Sequence, residues 1–167
     1  NGASLCAMKD GKSVDTTMGM TALDGLPMGT RCGSIDAGAV IYMQRELGLR
    51  TDALEQLLYN ESGLKGLSGI SNDVKTLSES SDDRARFALD YFVWKCTQHI
   101  AAMTATLGGM DALVFTGGIG ENDPDIRTRI IEGLAFLAPF ETLVIPANEE
   151  RSMAGSIHEI FCKEHRA

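Results

Sequence analysis

Apolar and polar positions change their spacing several times along the chain. Between Ser4 and Thr16 two short apolar runs flank Asp10-Gly11. That pair suits a type I′ turn, in which both central residues take positive φ, so the stretch predicts a β-hairpin. From Thr17 to Asp36 the periodicity fades, and glycines recur at 19, 25, 29 and 33. A long irregular loop inside a compact domain is often functional. Helical spacing returns over residues 35–47, with Asp36 near the start and Gly48 as the stop. Thr51 reads as the N-cap of the next helix, which places Leu54, Leu57 and Leu58 on one face. Residues 64–77 begin as a Gly/Ser turn and become a short helix.

The longest periodic run covers residues 81–109. Phe87, Tyr91, Trp94, Ile100 and Met103 predict a long buried helix that stops at Gly108-Gly109. The stripe Phe87, Tyr91 and Trp94 reads as core or interface, and His99 as a packed histidine. A short apolar strand follows at 110–115. Next comes an amphipathic helix over 123–137, with Asp123 as N-cap and Pro124 at the first helical position. A second strand at 140–146 and a terminal helix from Asn148 complete the chain. A hairpin, several helices and then strand, helix, strand, helix predict one α/β domain with a mixed sheet.

Composition narrows the function classes. The 167 residues are 44% hydrophobic, enough for one well-packed domain and short for two. The net charge of −8 gives no basic field for holding DNA or RNA. No apolar run reaches membrane-spanning length, so no membrane partner is expected. Cys6, Cys32, Cys96 and Cys162 are scattered with no CxxC pair, as expected of reduced thiols in the cytoplasm. His158, Cys162 and His165 have helical spacing near the C-terminus, and a solvated helix accounts for them better than a metal site.

The glycines raise the chemical question. Strand 110–115 runs into Thr116-Gly117-Gly118-Ile119-Gly120-Glu121-Asn122 before the next helix. Glycines let backbone N–H groups approach a ligand closely, and such a turn after a strand is a phosphate-binding design. The spacing matches neither GxGxxG nor GxxxxGK[ST], so from this turn alone a tight structural turn and a phosphate site are equally good readings. Gly2, beside Asn1 and Ser4, makes a second candidate phosphate turn. Arg31, set between Gly29 and Gly33, could reach a transferring phosphoryl group with its planar guanidinium. Considered singly, it is more readily a solvated surface charge. Glu149, after Pro146, is either an ordinary acidic helix start or a carboxylate near a nucleotide-bound Mg²⁺.

The order of segments is more specific than any one of them. NGAS (1–4), DTTMGMTALDGLPMGTRCGSID (15–36), ESGLKGLSGISNDVKTL (61–77), FTGGIGEN (115–122) and VIPANEE (144–150) together resemble the acetate kinase family, which includes propionate and butyrate kinases. The resemblance runs to about residue 150. It implies a ribonuclease H-like domain of the acetate and sugar kinase, Hsp70 and actin superfamily. It further implies that residues 1–167 are the C-terminal nucleotide-binding domain, without the family's N-terminal domain. That first domain supplies the acyl pocket and further catalytic groups in the family, so this chain alone is expected to be inactive.

The implied activity is reversible, ATP- and Mg²⁺-dependent phosphoryl transfer to acetate, giving acetyl phosphate and ADP. Propionate or butyrate kinase, and a non-catalytic nucleotide-binding fragment, are the alternatives. The resemblance places Asn1 and Gly2 in a first phosphate loop. It places Asp73, Val74 and Lys75 by the adenine and ribose, and Gly118, Ile119, Gly120, Glu121 and Asn122 in a second nucleotide loop. It gives Arg31 the transition-state role and Glu149 the metal-linked one, and it implies a homodimer. Val74 and Lys75 depart from the family's commoner bulky residue and Arg. Ala138-Pro139 stands where the family has a longer excursion.

Overall fold

A computed structural model describes residues 2–148 together with 150, 153, 154, 157 and 161. Strands β1 (Cys6–Lys9) and β2 (Lys12–Thr16) form the expected hairpin. Asp10 and Gly11 both take positive φ, at 52° and 73°, as a type I′ turn requires. Helices α1 (Ala37–Arg45), α2 (Thr51–Asn60), α3 (Gly63–Ser68) and α4 (Val74–Ser78) follow the glycine-rich loop. The Asp36 carboxylate caps α1 by accepting from Gly38 N–H, 2.7 Å away. Thr51 is instead the first helical residue of α2, and the cap position is Arg50, with no side-chain bond. Of the three leucines expected on one α2 face, Leu54 is buried and the other two are half-buried.

The centre of the molecule is α5 (Asp83–Leu107), a 25-residue helix between an Asp82 cap and a left-handed Gly108. At a rise of about 1.5 Å per residue it is roughly 37 Å long, the span of a small domain. Its buried face carries Ala85, Ala88, Leu89, Phe92, Cys96 and Ile100, and further along Met103. Of the two readings of the Phe87, Tyr91 and Trp94 stripe, core or interface, the core one does not hold: Phe87 and Trp94 are more than half exposed and Tyr91 is half-buried. The reason is steric. Ala85 and Ala88 are fully covered and let α3 and α4 pack against α5, whereas the bulky rings fit the outer face. There Tyr91 and Trp94 touch at 5.8 Å between ring centroids, and Lys95 Nζ sits 5.0 Å from the Trp94 ring. His99 is half-buried.

Strand β3 (Ala112–Phe115) leads into two helices, α6 (Gly117–Asn122) and α7 (Pro124–Gly133), and then into β4 (Glu141–Val144). The two strands pair in parallel, and the helices supply the crossover that such pairing needs. The Asp123 carboxylate caps α7 through Ile126 N–H at 2.9 Å, with Pro124 at the first position as expected. Among the described residues the expected single mixed sheet is replaced by two two-stranded sheets, antiparallel β1–β2 and parallel β3–β4. Local patterning marks strands but not their long-range partners. The core joins the parallel pair to the helices: Leu113, Phe115, Ile126, Ile130 and Leu134 pack into the same cluster as Leu64, Leu77 and the inner face of α5, and the hairpin packs against α5. Fully burying each such side chain stabilises the fold by about 1.5–3 kcal/mol. The terminal helix expected from Asn148 falls mostly outside the described residues.

Candidate nucleotide site

In parallel α/β sheets, ligands favour the crevice beyond the carboxyl ends of the strands. Here that crevice has two connected lobes, of about 420 and 680 Å³. Both are lined by Gly2, Ala3, Met28, Phe92, Gly118 and Ile119. Arg31 and Gly120 belong to the first lobe. Asp73, Val74, Lys75 and Asn122 belong to the second. Segments more than a hundred residues apart thus meet around one cleft. The floor of the first lobe is apolar, with Cys96, Ile100, Leu113 and Ile130. The polar groups lie on the rim.

Arg31 is half-buried, and its guanidinium lies beside the first glycine turn. A Cβ built on Gly2 would sit 3.8 Å from Arg31 Nη1. Nη1 also donates to the Ala22 carbonyl at 3.4 Å and points at the Met28 sulfur, 3.6 Å away. Among the described residues no carboxylate pairs with it. A guanidinium held by one carbonyl and one thioether keeps most of its capacity for an anion.

The expected glycine turn proves to be a short helix, α6, whose sequence GGIGEN is poorly suited to helix. Each glycine costs about 0.8–1 kcal/mol relative to alanine, and isolated helices below about 12 residues are marginal in water. None of its residues is buried. It is held from outside. Glu121 Oε1 accepts from Gly117 N–H at 2.7 Å and from Ala147 N–H at 2.8 Å. Asn122 Nδ2 donates to the Gly118 carbonyl at 2.8 Å. Arg127, from α7, donates to the Gly120 and Glu121 carbonyls at 3.0 and 2.9 Å. Sequence reading missed Arg127. The available signal was Asp123-Pro124, which starts α7 directly after α6 and so brings its first turn under the open carbonyls.

The remaining expected site residues are placed as follows. Asp73 caps α4 by accepting from Thr76 N–H at 2.9 Å and its hydroxyl at 2.8 Å. The Thr76 backbone bond and then the hydroxyl hold its carboxyl below the usual range. Val74 is buried beside it, and Lys75 is exposed. Glu121 lines neither lobe, because its carboxylate turns back onto backbone. A Cβ on Gly120 would meet the Phe115 carbonyl carbon at 3.3 Å, so this glycine faces its own strand, whereas Gly118 faces open space. Cys96, under the cleft, is neutral at pH 7, since burial pushes its thiol up to about 12. Asn1 and Glu149 lie outside the described residues, as do His158, Cys162 and His165. The described residues hold no group of three or more His, Cys, Asp or Glu side chains able to cage a metal. None of their helices is long and apolar enough to cross a membrane.

Solved structures with the same fold place the domain in the acetate and sugar kinase, Hsp70 and actin superfamily. Porphyromonas gingivalis acetate kinase superposes with a TM-score of 0.91 at 30% identity, over 96% of this chain and 47% of that one. A propionate kinase from Francisella tularensis gives 0.86 at 38% identity, over 90% of this chain and 44% of that one. The Acetokinase family model matches residues 1–154, and the chain belongs to that family. Among curated relatives, the acetate kinase of Nitrobacter hamburgensis is 52% identical over 137 residues, covering 82% of this chain and 34% of the relative. That of Rhodopseudomonas palustris TIE-1 is 50% identical over 156 residues, covering 93% and 39%. The chain therefore spans between a third and a half of the length of these relatives.

Proposed function

We propose that the chain is the nucleotide-binding C-terminal domain of an acetate kinase, in which ATP phosphorylates acetate reversibly to give acetyl phosphate and ADP. The observation that carries this reading is Arg31, a guanidinium without a carboxylate partner among the described residues, set beside Gly2 on the rim of a cleft that Gly118 and Asp73–Lys75 also line. In the reaction a carboxylate oxygen of acetate attacks the γ-phosphorus. The bond from that phosphorus to the β,γ-bridging oxygen breaks, and ADP leaves with the electron pair. Such transfer is mostly positioning and charge stabilisation. Asn1, Gly2 and the α6 turn with Gly118, Ile119 and Gly120 hold phosphate oxygens through backbone N–H groups. Asp73, Val74 and Lys75 line the adenine and ribose side, in the larger lobe. Arg31 stabilises charge on the transferring phosphoryl group.

Mg²⁺ supplies charge neutralisation on the phosphates. Glu149 is the carboxylate that would hold it, and a phosphate-bound ion needs no cluster of protein ligands. The exposed Phe87 and Trp94 on α5 support a homodimer reading. Propionate is the second acceptor to consider, since one of the structural relatives is a propionate kinase.

The test is an acyl phosphate assay on the full polypeptide with acetate, propionate and butyrate as acceptors. Acetate is expected to give the highest kcat/KM. Arg31→Ala is expected to lower turnover by about 10³-fold or more, the range for a charge-stabilising arginine, with ADP affinity little changed. Unaltered turnover in that variant would remove Arg31 from its assigned role. The 167-residue chain alone is expected to bind ADP and to form no acyl phosphate.

A further inference from the structure

Glu121 sits inside the turn proposed to hold phosphate, yet its carboxylate does not face the cleft. One oxygen, Oε1, takes two backbone N–H groups, Gly117 at 2.7 Å and Ala147 at 2.8 Å. Gly117 opens α6 after β3, and Ala147 lies beyond the end of β4. The two strands are hydrogen-bonded neighbours, and Ile145 N–H continues their pairing by donating to the Phe115 carbonyl at 2.9 Å. Beyond that bond the two chains diverge, and Glu121 rejoins them. A single side-chain oxygen with the reach to take both N–H groups thus ties the two strand exits together.

We infer that Glu121 is a positioning residue that locks the turn leaving β3 to the loop leaving β4, so that a phosphate seated on Gly118 orders both strand exits together. Arg127 supports this from the other end of α6. It holds the Gly120 and Glu121 carbonyls, so the backbone that carries Glu121 is fixed, but it does not reach the β4 exit. The β4 exit at Ala147 then takes its position from a side chain in the phosphate turn. The ligand half of this inference rests on the phosphate-turn reading above. The clamp itself does not.

Amide hydrogen exchange read residue by residue, with ADP as the probe, tests both halves in the 167-residue chain. Glu121→Ala is expected to speed exchange at Gly117 and Ala147 at least tenfold without ligand. Glu121→Gln keeps an oxygen at the same reach, so both amides stay protected. Glu121→Asp keeps the charge but is one methylene short, and is expected to behave like the alanine variant, with ADP binding about tenfold weaker. In the wild-type chain and the glutamine variant, ADP slows exchange at Ala147. In the aspartate variant the slowing stops at α6.

Unchanged Ala147 exchange in the alanine and aspartate variants overturns the clamp. An aspartate that outperforms glutamine also overturns it, because charge rather than reach would then matter. If the alanine variant does not fold, the glutamine and aspartate pair decides. If wild-type chain does not bind ADP, the nucleotide reading fails, while exchange in the ligand-free protein still decides the clamp.

Discussion

Two glycine-rich segments face the same cleft, and they need glycine for opposite reasons. In the loop of residues 17–36, Gly25, Gly29 and Gly33 are buried, and backbone touches backbone at Gly25 and Gly33. A Cβ on Gly25 would lie 2.3 Å from the Thr17 carbonyl oxygen, and Gly25 itself has φ of 91°. Gly63, which packs against this loop, would place a Cβ 2.1 Å from the Met28 carbonyl oxygen. In α6 a Cβ on Gly117 or Gly118 would meet nothing within 4 Å. The loop uses glycine to bring protein against protein. The turn after β3 leaves space that the protein itself does not fill. A glycine cluster therefore indicates a site only when the missing side chains would have pointed into the open.

The largest effect should come from the crowded segment. Gly25→Ala is expected to cost about 3 kcal/mol, combining an overpacked contact with left-handed strain, and chemical denaturation would read it. A stability loss below 1 kcal/mol would mean that the loop can give way and that its glycines are not close-packed. Gly118→Ala should do the reverse. Its φ is not left-handed, so stability should hold or rise by up to about 1 kcal/mol. ADP affinity should fall about tenfold, or about 1.4 kcal/mol, in calorimetry. Equal affinity with raised stability would make α6 a structural turn like its counterpart.

The smallest effect lies outside both segments and serves as a baseline. Asp82 is held down to about 2, first by the Arg84 guanidinium and then by the Arg84 backbone N–H. Its folded value is below the unfolded value of about 3.9, so it contributes stability above about pH 4 that is lost as the pH falls toward 2. Asp82→Asn should slightly flatten the acid limb of the stability profile and leave neutral stability almost unchanged, since the group is exposed and screened. An unchanged limb would assign the acid sensitivity to other carboxylates.

What was legible in sequence was local chemistry. Asp10-Gly11, Asp36 and Asp123-Pro124 each specify a bond or a dihedral within three residues, and each is found as read. The inner face of α5 was legible only in part: Ile100 and Met103 are buried as read, but Ala85, Ala88, Phe92 and Cys96 share that face, while Phe87 and Trp94 lie outside. Helix α6 was read as a turn because three of its six residues are glycine and its support comes from Ala147 and Arg127. The breadth of the sheet depended on partners that periodicity does not name. The family was legible through the order of its segments. The burial of Val74, the inward turn of Glu121 and the support from Arg127 required coordinates.

The two small sheets have a colloidal consequence. Each has open strand edges, and Val114 and Val144, on the parallel pair, are about half exposed. Open edges invite pairing with another chain, and the net charge of −8 opposes it. That repulsion reaches about 10 Å at 0.1 M salt and about 3 Å at 1 M. Added salt is therefore expected to favour edge-to-edge contact between molecules, which light scattering at rising ionic strength would read.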